Sequence, residues 1–359
     1  MTPRIRHIGA LRWPMKDLRV YDRISEAVGW TPMVRLARAL PDTACEVYAK
    51  LEFLNPMGST KDRIARHFIE QALASGKLEA GGTVVEASSG NTAMGLAMMA
   101  ILEGLHLKII VRRETSPEKL STLRALGAEL ILVDGGRLPG DPESFNRKAP
   151  LVADAIPGAW FPDQHNNRAN NDAHYRTTGP EIWEQMEGRV DVLVAGIGTG
   201  GTLSGTARYL KEQNPELRVV AVDGEGSVFT EYFRTGRHGA SKPYLLEGLG
   251  DDEIIGCPEF ELFDEMVQVK DRDAFLSARE LARTEAMFAG GSSGAALWAT
   301  RQVAQTEPAT SRIVTIFSDA GARYLSTIYD DVWMREKGFL NDAEQSSASL
   351  GSALRVGAR

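Results

Sequence analysis

The chain has 359 residues, 43% of them hydrophobic and 25% charged, which is enough to bury two cores and build two subdomains. Its 41 basic and 48 acidic side chains leave a formal charge of -7, which argues against a nucleic-acid binder or a protein drawn generally to anionic membranes. Cys45 and Cys257 lie far apart without a CxxC partner and are expected to be reduced thiols, which suits a cytoplasmic protein.

From the N-terminus, Arg4, Arg6, His7, Arg12, Lys16 and Arg19 make a basic start that reads as a solvated arm. No apolar core of a secretory signal follows it. The runs CEVYAKLE, TVVEAS, LKIIVR, AELILVD, VDVLVAG, LRVVAVD, EMVQVK and RIVTIFS read as strands. Between them KDRIARHFIEQALASG, TAMGLAMMAILEG, SPEKLSTLRALG, TLSGTARYLKEQ and DRDAFLSARELARTEA read as helices. This alternation predicts an α/β protein with open, mostly parallel, helix-covered sheets. The stretch AMGLAMMAILEGLHLKIIVR contains Glu103, His106 and Lys108, so it reads as a buried helix and strand rather than a membrane span. Two segments break the pattern: 138–170, and Phe229 to Pro258. Both are expected to be irregular and to hold ligand loops or surface excursions. A subdomain boundary is expected near residue 165, and residues 341–359 are expected to form a disordered tail.

Three strand-to-helix turns carry the chemistry. In LEFLNPMGSTKDR, Lys61 opens a helix, where the helix dipole and the neighbouring Arg63 favour the neutral, nucleophilic amine. By itself this lysine is weak evidence, since most lysines near a helix start are solvated, and Arg63 reads as structural. In EASSGNTAMGLA, the donors of Ser88, Ser89, Gly90, Asn91 and Thr92 converge on one point suited to a carboxylate, although a plain N-cap turn would use the same residues. In VLVAGIGTGGTLSG, Gly198, Gly200 and Gly201 let the backbone approach an anion, with Thr199 and Thr202 adding hydroxyls. Gly196, Gly198 and Gly201 also satisfy GxGxxG, and Asp223 closes the next strand at the distance of a dinucleotide ribose partner. The loop alone therefore permits a nicotinamide-dependent oxidoreductase. Together the three turns point to a phosphorylated aldehyde cofactor and an amino acid substrate.

PMGSTKDR, SSGNTAMGLA, QHNNRANNDAHYRTTGPEIW, GIGTGGTLSG, AVDGEGS, EGLG, FAGGSSGAA and YDDVWMREKGF, in this order from about Ile24 to Leu340, resemble the cysteine synthase and cystathionine β-synthase family. TTGPEIW and the glycine loop resemble cysteine synthases most, whereas EGS, EGLG and WMREKGF resemble cystathionine β-synthases.

The resemblance implies a fold type II pyridoxal 5'-phosphate enzyme with a tryptophan synthase β-like fold. Residues 1–50 would form an arm and part of the large subdomain, 51–165 a smaller mobile subdomain, and 166–340 the large subdomain that binds the cofactor phosphate. Lys61 would hold the cofactor as a Schiff base and then move the Cα proton. Gly198, Thr199, Gly200, Gly201 and Thr202 would bind the phosphate, Asn91 the pyridine hydroxyl, and Ser88, Ser89, Thr92 and Gln164 the substrate carboxylate. Ser292 would face the pyridine nitrogen, a neutral partner that makes a weaker electron sink than a carboxylate would.

The implied reaction is β-replacement on O-acetylserine or serine through an aminoacrylate, with sulfide or a thiol adding at Cβ. Cystathionine or another β-substituted alanine is an alternative product, and a catalytically silent relative is disfavoured by the retention of Lys61, Asn91 and Ser292. A homodimer is implied, with no metal, nucleic-acid or membrane partner. No Cys/His pair for haem appears in the arm, and no tandem regulatory domain is expected after Leu340. Two departures stand out. Trp30 occupies the position before ThrPro where the family has Asn or Asp, and is expected either in packing or at the active-site entrance. Asp251 and Asp252 follow EGLG, and they are expected at the site mouth, favouring an ammonium-bearing substrate, or on a solvated loop tip.

Overall fold

The computed structural model describes residues 20–135 and 141–340. The basic start and the 341–359 tail lie outside the described residues.

The eight sequence-predicted strands all form, and they divide between two sheets. The larger sheet contains β1 (Met33–Arg35), β2 (Glu46–Leu51), β6 (Val192–Gly196), β7 (Arg218–Gly224), β8 (Glu265–Val269) and β9 (Arg312–Phe317), in the order β1-β2-β9-β6-β7-β8. Only β1, too short for a periodic signal, runs antiparallel. The smaller sheet is parallel, β3 (Thr83–Ala87), β4 (His106–Arg112) and β5 (Glu129–Val133) in sequence order. Strands β6, β7 and β9 are continuous apolar runs because both faces of an internal parallel strand are covered.

Helices cover both faces of each sheet. In the larger unit, Phe275 and Ala278 of α9 (Asp271–Thr284) and Ala295 and Leu297 of α10 (Gly291–Ala304) pack against β2, β6 and β9. On the opposite face lie α6 (Thr178–Gln185), α7 (Gly201–Gln213) and α8 (Phe229–Thr235). In the smaller unit, α1 (Lys61–Ala74), α2 (Asn91–Glu103) and α3 (Pro117–Ala125) cover one face, and α4 (Phe145–Asp154) covers the other. Ile64 and Phe68 of α1 also pack on Ala169 and Ala173 of α5 (Ala169–Arg176), so α1 touches both units.

The segment 138–170, expected to be irregular, contains α4, a helix that accommodates Pro150. The segment from Phe229 opens with α8 and is irregular beyond it. Helix α10 was visible only as the motif GGSSGAA. It is buried on nearly every side, so its sequence has no polar stripe to give a helical period. Helix α2 is likewise buried, and a Cβ at its Gly95 would stand 3.1 Å from the Lys61 carbonyl oxygen. That close approach sets the start of α1 against α2.

Candidate active site

The C-terminal ends of the parallel strands converge on one cleft of about 260 Å³. The order of the larger sheet brings this about, because β9 lies between β2 and β6. Residues 58–60, on the way from β2 to α1, pair antiparallel with residues 318–320 beyond β9. Thr60 N donates to Ser318 O at 2.9 Å, and Ala320 N donates to Gly58 O at 3.1 Å. Gly290 N, just before α10, donates to Asp319 O at 3.0 Å. Lys61, Asp319 and Ser292 are thus placed by three short backbone segments knitted together.

Of the twelve residues predicted for the site, Lys61, Ser88, Ser89, Asn91, Thr92, Gln164, Gly198, Thr199, Gly200, Thr202 and Ser292 line this cleft. Gly201 lies behind its lining, packed against the Asn170 side chain where a Cβ would collide. In the glycine loop Gly200 takes the left-handed conformation, φ 87°, at the N-cap of α7. Asn170 Nδ2 donates to Thr199 Oγ1 at 3.0 Å and so braces the loop. Thr202 Oγ1 lies 3.1 Å from His174 Nε2, whose Nδ1 lies 2.8 Å from Thr178 Oγ1. Burial pushes the His174 pKa well below its ordinary value, which leaves the ring neutral. On the facing wall, Thr92 Oγ1 donates to Gln164 Oε1 at 2.6 Å, while Ser88 Oγ accepts from Ala93 N at 3.3 Å. These bonds fix the donors of the SSGNT turn before any ligand arrives.

The amine of Lys61 is shifted down by burial, against the raising influence of Asp319 and Glu52. Arg63, one of the two causes expected from sequence, the other being the helix dipole, is not among the groups that shift it. Its guanidinium is consumed by Glu52 (Nε to Oε2, 2.7 Å) and Glu181 (Nη1 to Oε1, 2.6 Å) in a buried network with Lys50 and Thr31. Asp223 is fully buried and accepts from Thr230 N (3.1 Å) and Oγ1 (2.7 Å). It caps the start of α8 and does not line the cleft, so the dinucleotide reading loses its ribose partner. Trp30, at 56% exposure, is absent from the cleft wall and does not narrow its entrance. Asp251 lines the cleft, but its Oδ1 turns back to accept from Asp252 N (2.7 Å) and Glu253 N (3.1 Å).

Among the lining side chains that sequence reasoning did not place, four make polar contacts on the cleft wall. Asp319 Oδ2 accepts from Asn91 Nδ2 (2.9 Å) and Tyr324 Oη (2.7 Å), and Lys119 of α3 donates to Glu247 Oε2 across the mouth at 2.5 Å. Only the glutamate carried a signal, as part of EGLG.

A family model described as "Pyridoxal-phosphate dependent enzyme" matches residues 24–319. The chain belongs to that family. It is 39% identical to the cystathionine beta-synthase of Apis mellifera over 91% of this chain, and 38% identical to the cysteine synthase of Staphylococcus aureus over 85% of this chain and 96% of that protein. It spans 65% of the length of the Apis mellifera protein and 59% of the Rattus norvegicus cystathionine beta-synthase. The solved O-acetylserine dependent cystathionine beta-synthase from Helicobacter pylori is similar to it at a TM-score of 0.79 and 35% identity, over 87% of this chain and all of that one. The fold type II assignment and the pyridoxal-phosphate dependence expected from the sequence therefore stand.

The cleft of this pyridoxal-phosphate enzyme suits the cofactor. Asn91 Oδ1 and Asp319 Oδ1 are buried polar atoms without a protein partner. The glycine loop, where a Cβ would collide with Gly248 at Gly198, with Pro258 at Gly200 and with Asn170 at Gly201, presents bare backbone to an anion.

Proposed function

We propose that this chain catalyses β-replacement on an L-serine derivative, O-acetylserine or serine, adding sulfide or a thiol to give cysteine or an S-substituted cysteine. One observation carries the reading. The Lys61 amine, the SSGNT turn and the glycine loop line a single cleft, each at the end of a different strand-to-helix turn. The cofactor would be held by Lys61, by the phosphate-binding loop of Gly198, Thr199, Gly200, Gly201 and Thr202, and by Asn91 and Ser292. When bound, it supplies an electron sink for the bonds at the substrate Cα.

The remaining roles belong to the chain's own residues. Ser88, Ser89, Thr92 and Gln164 bind the substrate carboxylate and orient the Cα–H bond toward Lys61. Lys61 Nζ, whose neutral form is favoured by burial, takes the Cα proton and later returns it. The hydroxyl of Thr202 adds to the donor set around the phosphate, and the neutral imidazole of His174 behind it holds that hydroxyl without adding charge. Residues 51–165 would act as the smaller subdomain, closing over the carboxylate and excluding water, with Lys119 meeting Glu247 across the mouth.

Cystathionine formation from a thiol such as homocysteine is the second reading, favoured by the EGLG segment and its Glu247 at the mouth. A homodimer in the cytoplasm is the arrangement expected for such an enzyme. No described helix is long and apolar enough to cross a membrane.

The test is spectroscopic. Purified protein with added pyridoxal phosphate is expected to show a band at about 410 nm that borohydride abolishes, as for a lysine-linked aldehyde cofactor. Absence of that band would overturn the reading. Lys61→Ala is expected to bind the cofactor without the borohydride-sensitive band and to lose turnover. Offering serine, O-acetylserine and O-phosphoserine in turn, then sulfide, homocysteine, thiosulfate and amines, identifies both substrates.

A further inference from the structure

Several carboxylates stand near Lys61, and those on the cleft wall other than Asp319 are already committed. Glu52 is bound by Arg63 and by the Thr31 hydroxyl. Asp62 accepts from Met57 N at 2.5 Å, and burial pushes its carboxyl up to about 7. Glu247 is paired with Lys119, and Asp251 is turned onto its own backbone. Asp319 lines the cleft and is 1% exposed, no cation pairs with it among the described residues, and its Oδ1 has no partner. Asp62 Oδ1 has no partner either, but Asp62 does not line the cleft.

An unpaired buried carboxylate is costly, so it is retained where a positive charge or a demanding donor is meant to meet it. Two neighbours show which. Asn91 Nδ2 donates to Asp319 Oδ2, which fixes the orientation of the amide at the mouth of the SSGNT turn. Lys61 opens the helix that follows the backbone pairing of Ser59 with Asp319, and Asp319 is the strongest charge acting on its amine.

We propose that Asp319 is the positioning residue and fixed counter-charge of the site, orienting the Asn91 amide toward the cofactor ring and balancing the positive charge carried at Lys61 Nζ. This rests on the pyridoxal-phosphate reading given above and adds a negative charge to a cofactor environment in which Ser292 supplies only a neutral hydroxyl. Tyr324 Oη, held at 2.7 Å, keeps the carboxylate in place; its phenol is raised well above its ordinary range by burial and by Asp319 and Glu247, so it stays a proton donor. Other groups coupled electrostatically to Lys61, Asp319 or Tyr324 are Glu52, Glu247, Arg323, Tyr329 and the neutral His174.

The experiment titrates the visible band of the cofactor-loaded protein against pH and measures pyridoxal phosphate affinity by equilibrium dialysis, for the natural sequence, Asp319→Asn and Asp319→Ser. Removing the charge is expected to lower the midpoint at which the Lys61-linked chromophore loses its proton by about one pH unit or more. Affinity is expected to weaken about tenfold as the Asn91 amide is released. The two variants serve as mutual controls, since either one that keeps the natural circular dichroism spectrum gives the answer. Tyr324→Phe keeps the charge and is expected to hold its midpoint within about 0.3 unit of the natural protein. Folded Asp319 variants that titrate and bind like the natural protein would overturn the assignment, as would a Tyr324→Phe shift equal to that of Asp319→Asn. A natural protein that never shows the borohydride-sensitive band would instead overturn the underlying cofactor reading.

Discussion

Gly200→Ala tests whether the glycine loop is shaped by contact as well as by conformation. Gly200 has φ 87°, and an added Cβ would stand 2.7 Å from both Cγ and the backbone nitrogen of Pro258. The left-handed conformation costs a non-glycine residue about 1–2 kcal/mol. Reaching an ordinary carbon contact of about 3.5–4.0 Å requires the loop and Pro258 to separate by roughly 1 Å, and the proline ring has no rotamer with which to yield. Overpacking of this kind adds about 1–3 kcal/mol, so the expected total is about 2–5 kcal/mol.

Gly104 supplies the control, since it has φ 64° at the end of α2 and nothing within 4 Å of its would-be Cβ. Gly104→Ala is expected to cost only the conformational share, about 1–2 kcal/mol. Urea unfolding followed by circular dichroism, with cofactor removed, gives both values. Displacing the loop should also misalign at least one backbone donor to the phosphate, weakening pyridoxal phosphate binding by about tenfold or more in Gly200→Ala and leaving Gly104→Ala unchanged. Equal destabilisation of the two variants, with equal affinity, would refute the reasoning.

Arg63→Met leaves Glu52 and Glu181 buried without their main cation, with only Lys50 remaining, and is expected to cost about 3–5 kcal/mol in urea unfolding. Arg63 and Lys50 hold both carboxyls below their ordinary range, so the network's contribution is present above pH 4.5 and lost as pH falls. The natural protein should therefore lose stability on acidification faster than the variant. Glu86, fully buried, is pushed by burial from 4.5 to about 8. The folded state keeps its proton where the unfolded state has lost it, so stability declines from pH 4.5 to about 8, and Glu86→Gln should flatten that decline in unfolding midpoints measured across the range. Cys45 and Cys257 are both buried and unpaired, and burial raises the Cys257 thiol to about 12. A thiol reagent at pH 8 is expected to leave both unlabelled in the folded protein and to label both in urea, and rapid labelling of Cys257 in the native state would contradict its placement.

The sequence by itself determined the α/β class and eight of the nine strands, and of the twelve residues it proposed for the site eleven line one cleft. Lys61, the SSGNT turn and the glycine loop were legible because each is a local object, a strand followed by small donors and a helix start within about a dozen residues. Gly201 lay outside the lining because spacing shows which residues share a loop but not which of them faces the cleft; its Cα is pressed on Asn170. Asp223 shows the same limit, since its distance from the glycines fits a ribose partner while its carboxylate is buried on Thr230.

Only the tertiary structure could bring Asp319 to Lys61, 258 positions earlier in the chain. Their meeting depends on β9 being inserted between β2 and β6 and on residues 58–60 pairing with 318–320. Lys119 and Glu247 likewise meet across the cleft, although 128 residues separate them. Arg63 gave no sign of its partners, because charge in a sequence does not say whether burial will force it into a network. Local turn chemistry is written in neighbouring residues; the electrostatic balance around the reacting amine arises from contacts between distant ones, and sheet order creates those contacts.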